Sequence, residues 1–217
     1  MILFLVAALS AAVDWIAVAR GDRRLERVFK PLTIVLLMGA AVAAWEGGYE
    51  GRFVATMAVL VFSLAGDVFL MQDRDLLLQG LVSFFLAHVA YIVAFGGPVL
   101  TPFAVFIATA VILVSGPTFL VIRQSLRRRG REQLVVPVLA YVFVISLMVV
   151  TAVTAPGSND WSRGSILAAA LGAGLFYTSD AMIGMHRFVK EQPWAPVAIM
   201  VTYHLGQIGL VYALART

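Results

Sequence analysis

Eight apolar runs, each close to the length of a membrane-crossing helix, constrain this chain more than any other feature. They fall at about 2–19, 31–45, 53–71, 76–95, 102–121, 133–154, 164–186 and 195–214. A hydrocarbon layer of about 30 Å takes roughly 20 residues of helix to cross. The connections between the runs are short and leave no room for a soluble domain. With 61% hydrophobic and 13% charged residues, the chain reads as an integral membrane protein. The predicted fold is an all-α, polytopic membrane helical bundle of eight transmembrane helices, one integral membrane domain over 1–217. No Lys or Arg precedes the first run, so it is read as a membrane helix rather than a signal peptide. The absence of cysteine excludes disulfides, zinc–thiolate sites and cysteine nucleophiles.

Lys and Arg gather in alternate connections. Thirteen of them, including Arg20, Arg23, Arg24, Arg27, Lys30, Arg74, Arg127 to Arg129, Arg187 and Lys190, fall on one side, against Arg52, Arg163 and Arg216 on the other. The positive-inside rule then puts both termini outside the cytoplasm. The net charge of +4 follows from this orientation signal, so the basic stretch at 127–131 is not read as a nucleic-acid site. The short loops favour a bacterial inner membrane.

An internal repeat is visible. A small residue and Asp near one helix end, followed by His in the next helix, occur as Gly66-Asp67 with His88 and again as Ser179-Asp180 with His204. Pro31 and Pro137 follow basic loops in the two halves, and the offsets between equivalents run from 106 to 116 residues. Halves of about 1–100 and 101–217, each with four spans, would enter the membrane in the same sense, related by an axis along its normal.

A carboxylate at membrane depth costs on the order of 3 kcal/mol, so such groups usually pair or do chemistry. Asp67, His88, Asp180 and His204 are the four main candidates, with both Asp in the cytoplasmic half. Helical spacing puts Phe84, His88 and Tyr91 on one face, Ser63, Gly66 and Asp67 on another, Tyr177 with Asp180, and His204 with Gln207. Tyr203 and Ser179 are expected in the same polar pocket. Asp14 and Lys30 are further additions. Trp15, Trp45, Trp161 and Trp194 read as interfacial residues, and His186 as a cation at a helix end.

The chain has no G-x-S-x-G, no Walker loop and no HExxH, which leaves acid–base chemistry. Two carboxylates in a low-dielectric site cannot comfortably both ionise, so one serves as acid beside the other. The alternative makes His88, His204, Asp67 and Asp180 ligands to a metal ion with a bound water as nucleophile.

Lys30-Pro31, the stretch from Ser63 to Leu70, Phe85 to Tyr91, Tyr177 to Asp180 and His204 to Gln207 together resemble the YhhN family, which includes the TMEM86-type lysoplasmalogenases. The resemblance covers all eight spans. It implies an ether-bond hydrolase that cleaves the vinyl ether of a lysophospholipid, lysoplasmalogen, to a fatty aldehyde and a glycerophospho-base, with membrane lipids as surroundings and no cofactor. On that reading Asp67 and Asp180 are the acid and base, and His88 and His204 orient water or shuttle protons. Tyr91, Tyr177 and Gln207 hydrogen-bond substrate oxygens, Ser63, Ser179 and Tyr203 complete the pocket, and Lys30 holds the phosphate at the cytoplasmic mouth. A small-solute or proton transporter and a lipid-binding scaffold are the rival classes.

Overall fold

Helix ends follow local chemistry. Gly21, at φ 68°, closes the first helix, and Asp22 caps the second by accepting the amides of Arg24 and Leu25. Thr101 caps the fifth ahead of Pro102, and Ser162 caps the seventh. A Gly in the left-handed region and a Ser, Thr or Asp at the N-cap satisfy backbone groups that a helix leaves unpaired at its ends. The computed structural model, which describes residues 1–45, 47, 50–155 and 161–216, contains α1 (Ile2–Arg20), α2 (Arg23–Ala44), α3 (Glu50–Leu70), α4 (Leu77–Ala94), α5 (Pro102–Arg128), α6 (Val135–Thr154), α7 (Arg163–Gly184) and α8 (Ala195–Ala215). Met185–Val189 continues α7 as a π-helical turn. All eight helices are long and apolar enough to cross a membrane, and there is no strand among the described residues. The connections read at 46–52 and 155–163 lie partly outside them.

Two boundaries move from expectation. Asp22 caps α2 well before Pro31, so this proline stands inside the helix instead of opening it. Close by, hydroxyls of Thr33 and Ser10 bond the carbonyl of Phe29 and tie α1 to α2. α5 continues to Arg128, past the apolar run, with Arg127 and Arg128 in its last turn, where cations suit the helix dipole.

Small residues set the packing. A Cβ built on Gly172 would meet the amide of Leu210 at 2.8 Å, and one on Gly206 would meet the amide of Phe176 at 2.8 Å. α7 and α8 therefore touch backbone to backbone, the close approach that drives helix association where apolar burial gives no advantage. α3 and α4 form the corresponding pair, with Phe84 seated over Gly66 and Leu70 over Gly80. α1 and α2 pack on α8, while α4 and α7 pack on α6. α5 is peripheral, burying only Ala104, Ser115, Ile122 and Leu126 and turning Phe103, Phe106, Ile112 and Leu113 outward.

The four basic connections meet at one end of the bundle. Arg23 and Arg27 reach Asp73 at 3.0 and 2.8 Å, Arg187 reaches Asp75 at 2.9 Å, and Arg129 donates to the carbonyl of Val189 at 2.8 Å. Exposed pairs of this kind add little stability. Their use here is to join the α1–α2, α3–α4, α5–α6 and α7–α8 connections into one basic face.

Candidate active site

The polar residues of the spans do not share one pocket; they form three centres. In the first, Asp67 of α3 is buried with its Oδ1 3.3 Å from Lys30 Nζ of α2, and Tyr203 of α8 donates to its Oδ2 at 2.8 Å. Lys30 is itself buried. It faces the carboxylate from inside the bundle, not an open mouth where a phosphate could arrive, because the early start of α2 places it two turns into the helix.

The second centre surrounds Asp180 of α7. Tyr141 of α6 donates its hydroxyl hydrogen to Asp180 Oδ2, and His88 Nε2 of α4 lies 3.2 Å from the same oxygen and 3.1 Å from the Tyr141 hydroxyl. A tyrosine hydroxyl has one hydrogen to give. With that hydrogen spent on Asp180, its oxygen can only accept from His88, which puts a proton on Nε2. No Lys or Arg reaches this carboxyl among the described residues, in contrast to the ammonium on Asp67.

The third centre is His204 of α8. Its Nδ1 accepts the indole N–H of Trp15 at 3.1 Å, and Asp14 Oδ2 stands 3.9 Å away, with Asp14 and His204 both fully buried. His204 is therefore turned toward α1, with no hydrogen bond to Asp180 among the described residues. Trp15 is an internal hydrogen-bond donor, and Trp161 is buried against Phe95, so neither behaves as a simple belt residue; Trp194 is exposed.

A wall of rings separates the first two centres. Tyr203 packs on Phe84 and Phe176 with centroids at 5.8 and 5.4 Å, and Phe176 packs on His88 at 5.0 Å. No hydrogen bond or ion pair joins Asp67 to Asp180 among the described residues. Nor do three His, Asp or Glu side chains converge there as ligands for one metal ion, so the four-ligand alternative is not assembled. Beside the wall, Tyr91 donates to Gln207 Oε1 and Gln207 Nε2 donates to Ser63 Oγ at 2.8 Å, all three buried. Ser179 donates to the carbonyl of Ile199 at 3.2 Å, tying α7 to α8.

The Asp180 centre opens onto a cavity. A space of about 90 Å³ lies between α4, α5, α6 and α7, walled by Leu81, Phe84, Ile122, Val138 and Ile145 among others. Its polar members are Asp180, Tyr141, Tyr177, Ser115 and Thr118. The space is small and largely apolar, with a few polar groups converging on it. Tyr141 is the partner that sequence reading missed. A tyrosine in an otherwise apolar span needs a hydroxyl partner, but nothing in the first half repeats it.

The YhhN family model matches residues 25–214. The chain belongs to the YhhN family. Human lysoplasmalogenase TMEM86B is 29% identical over 189 residues, 87% of this chain and 74% of that protein. Human lysoplasmalogenase TMEM86A is 33% identical over 69% of this chain and 60% of its own length. A lysoplasmalogenase of Mycobacterium bovis is 31% identical over 87% of this chain and 69% of its own. No solved structure matches. In this YhhN chain the matched residues span Lys30, Asp67, His88, Tyr141, Asp180 and His204, so all three polar centres except Asp14 and Trp15 lie within the family region.

Proposed function

We propose that this protein is a lysoplasmalogenase that hydrolyses the vinyl ether of a lysophospholipid within the membrane, with Asp180 as the reacting carboxyl. The observation that carries the reading is that Asp180, hydrogen-bonded to His88 and Tyr141, stands at the wall of a mostly apolar cavity. The names of the relatives support the substrate class.

The chemistry needs an acid near the alkenyl carbon and a place for water. In its acid form the Asp180–His88 pair holds one proton more than a carboxylate and a neutral imidazole; that proton passes to the alkenyl carbon, leaving an oxocarbenium ion opposite the Asp180 carboxylate. Electrostatic stabilisation by a preorganised carboxylate is the largest single contribution that such a site offers. Water adds to the cation and returns its proton to the Asp180–His88 pair. The hemiacetal then breaks its C–O bond to give aldehyde and the glycerophospho alcohol, with no net change in the enzyme. Tyr141 orients Asp180, and Tyr177 lies on the cavity wall beside the substrate oxygens. Asp67, tied to Lys30 and Tyr203, supports the ring wall from behind. Tyr91, Gln207 and Ser63 brace α3, α4 and α8, and His204 with Asp14 and Trp15 anchors α1 to α8. This divides roles among residues that sequence reading had put in one pair.

The same reading takes the fold as one membrane domain of two related halves. Lys30 and Tyr203 reach Asp67 from α2 and α8, while Tyr141 and His88 reach Asp180 from α6 and α4; these are equivalent helices if α1–α4 repeats as α5–α8. The basic face is the cytoplasmic one, which places both termini outside, with a bacterial plasma membrane as the location. The test is aldehyde release by purified protein from lysoplasmenylethanolamine beside its ester counterpart, lysophosphatidylethanolamine. Release of aldehyde from the first without fatty acid from the second supports a vinyl ether hydrolase; fatty acid from the ester alone overturns it.

A further inference from the structure

We infer that the phosphate of the lysophospholipid is held by Lys190 and His186 at the α7–α8 connection. This rests on Asp180 as the reacting carboxyl. A second cavity of about 610 Å³ lies between α5 and the end of α7, lined by Pro117, Met182, His186, Lys190 and Gln192 among others. It shares Thr118, Tyr177 and Ala181 with the cavity at Asp180, so the two adjoin. Val114 and Val121 of α5 also line it and are exposed, which opens the space sideways to the lipid layer.

The polar end of this space is cationic and uncommitted. Arg187 is paired with Asp75, whereas Lys190 is exposed with no ion-pair partner among the described residues. His186 Nδ1 accepts the amide of Gln192 at 3.0 Å, which leaves the proton on Nε2 as a donor. An ammonium and an imidazole N–H on one wall suit an anionic phosphate oxygen pair. Lys30, the cation that sequence reading assigned to this task, is spent on Asp67.

Spacing agrees with a single lipid. Asp180 and His186 are six residues apart on α7 and its π-helical turn, roughly 9 Å at 1.5 Å per residue. That is the scale of the glycerol backbone between an enol ether and its phosphate. The chain would extend from Asp180 into the apolar cavity and the head group would remain at the basic face.

The experiment is equilibrium binding to full-length protein in detergent of two probes that it cannot hydrolyse. One is a saturated alkyl-ether lysophosphoethanolamine and the other the matching alkylglycerol without phosphate. Lys190→Gln and His186→Gln should each weaken the phospholipid by about tenfold, the scale of one charge-assisted hydrogen bond. Lys190→Arg should stay near wild type, and alkylglycerol binding should be the same in all four proteins. Equal binding of the phospholipid by wild type and Lys190→Gln overturns the subsite, as does wild-type affinity that is indifferent to the phosphate. If phosphate-dependent binding is lost in Lys190→Gln while wild type releases no aldehyde from lysoplasmalogen, the subsite stands and the hydrolase reading falls.

Discussion

The hydroxyl of Tyr91 on α4 donates to the side-chain oxygen of Gln207 on α8, in a fully buried contact. These residues stand 116 positions apart, the same offset that separates His88 from His204. If α1–α4 repeats as α5–α8, as proposed, these are equivalent positions, and such positions meet only near the axis that relates the halves. Tyr91→Phe leaves the Gln207 oxygen without that donor and should cost roughly 1 kcal/mol, within the range for side-chain hydrogen bonds in membrane bundles. A thermal melt in detergent that is unchanged by the substitution would remove the bond from the account.

Lys30 and Asp67 form a buried pair, and removing one partner of such a pair leaves a charge without compensation, at a cost of about 3 to 5 kcal/mol. Lys30→Met should therefore lower the melting temperature sharply, and adding Asp67→Asn should recover much of the loss. A phosphate-binding Lys30 would behave oppositely: Lys30→Met would keep wild-type stability and raise KM. Thermal shift and KM measured on the same preparations separate the two.

Tyr141→Phe removes the hydroxyl that donates to Asp180 and accepts from His88 Nε2. Misplacing a general acid by this much should lower kcat by about 100-fold with little change in KM. Activity within threefold of wild type would show that Tyr141 takes no part in positioning the acid.

Gly206→Ala places a methyl group 2.8 Å from the amide of Phe176, a backbone atom that cannot step aside. α7 and α8 must then separate, and Phe176 moves with them, disturbing the ring wall between Asp67 and Asp180. The melting temperature and the yield of monodisperse protein should both fall. Gly174→Ala, where nothing lies within 4 Å, should leave both unchanged.

The eight helices were legible because membrane length and hydropathy act on each span separately. Their order, and the gathering of alternate basic connections at one face, followed from the same local signals. The start of α2 was misread because hydropathy marks where a membrane begins, whereas Asp22 marks where the helix begins. Asp67, Asp180, His88 and His204 were identifiable as polar groups that need partners, but which partner each takes depends on the rotation of its helix. His204 turns to Trp15 and Asp14, Lys30 turns inward to Asp67, and Tyr141 has no tyrosine counterpart in the first half. Tyr203 was expected in the polar pocket and Phe84 on the His88 face, but nothing in the sequence told that with Phe176 they stack into a wall between the two carboxylates.

The central claim is that Asp180 is the reacting carboxyl and Asp67 a buried support. Its most direct test is aldehyde release from lysoplasmenylethanolamine by wild type, Asp180→Asn and the double variant Lys30→Met/Asp67→Asn, each checked for folding by its melt. The account predicts that Asp180→Asn stays folded and loses activity by about 1,000-fold or more, while the double variant retains a measurable fraction of wild-type turnover. Near-wild-type activity in folded Asp180→Asn, or complete loss in a folded double variant, would contradict it.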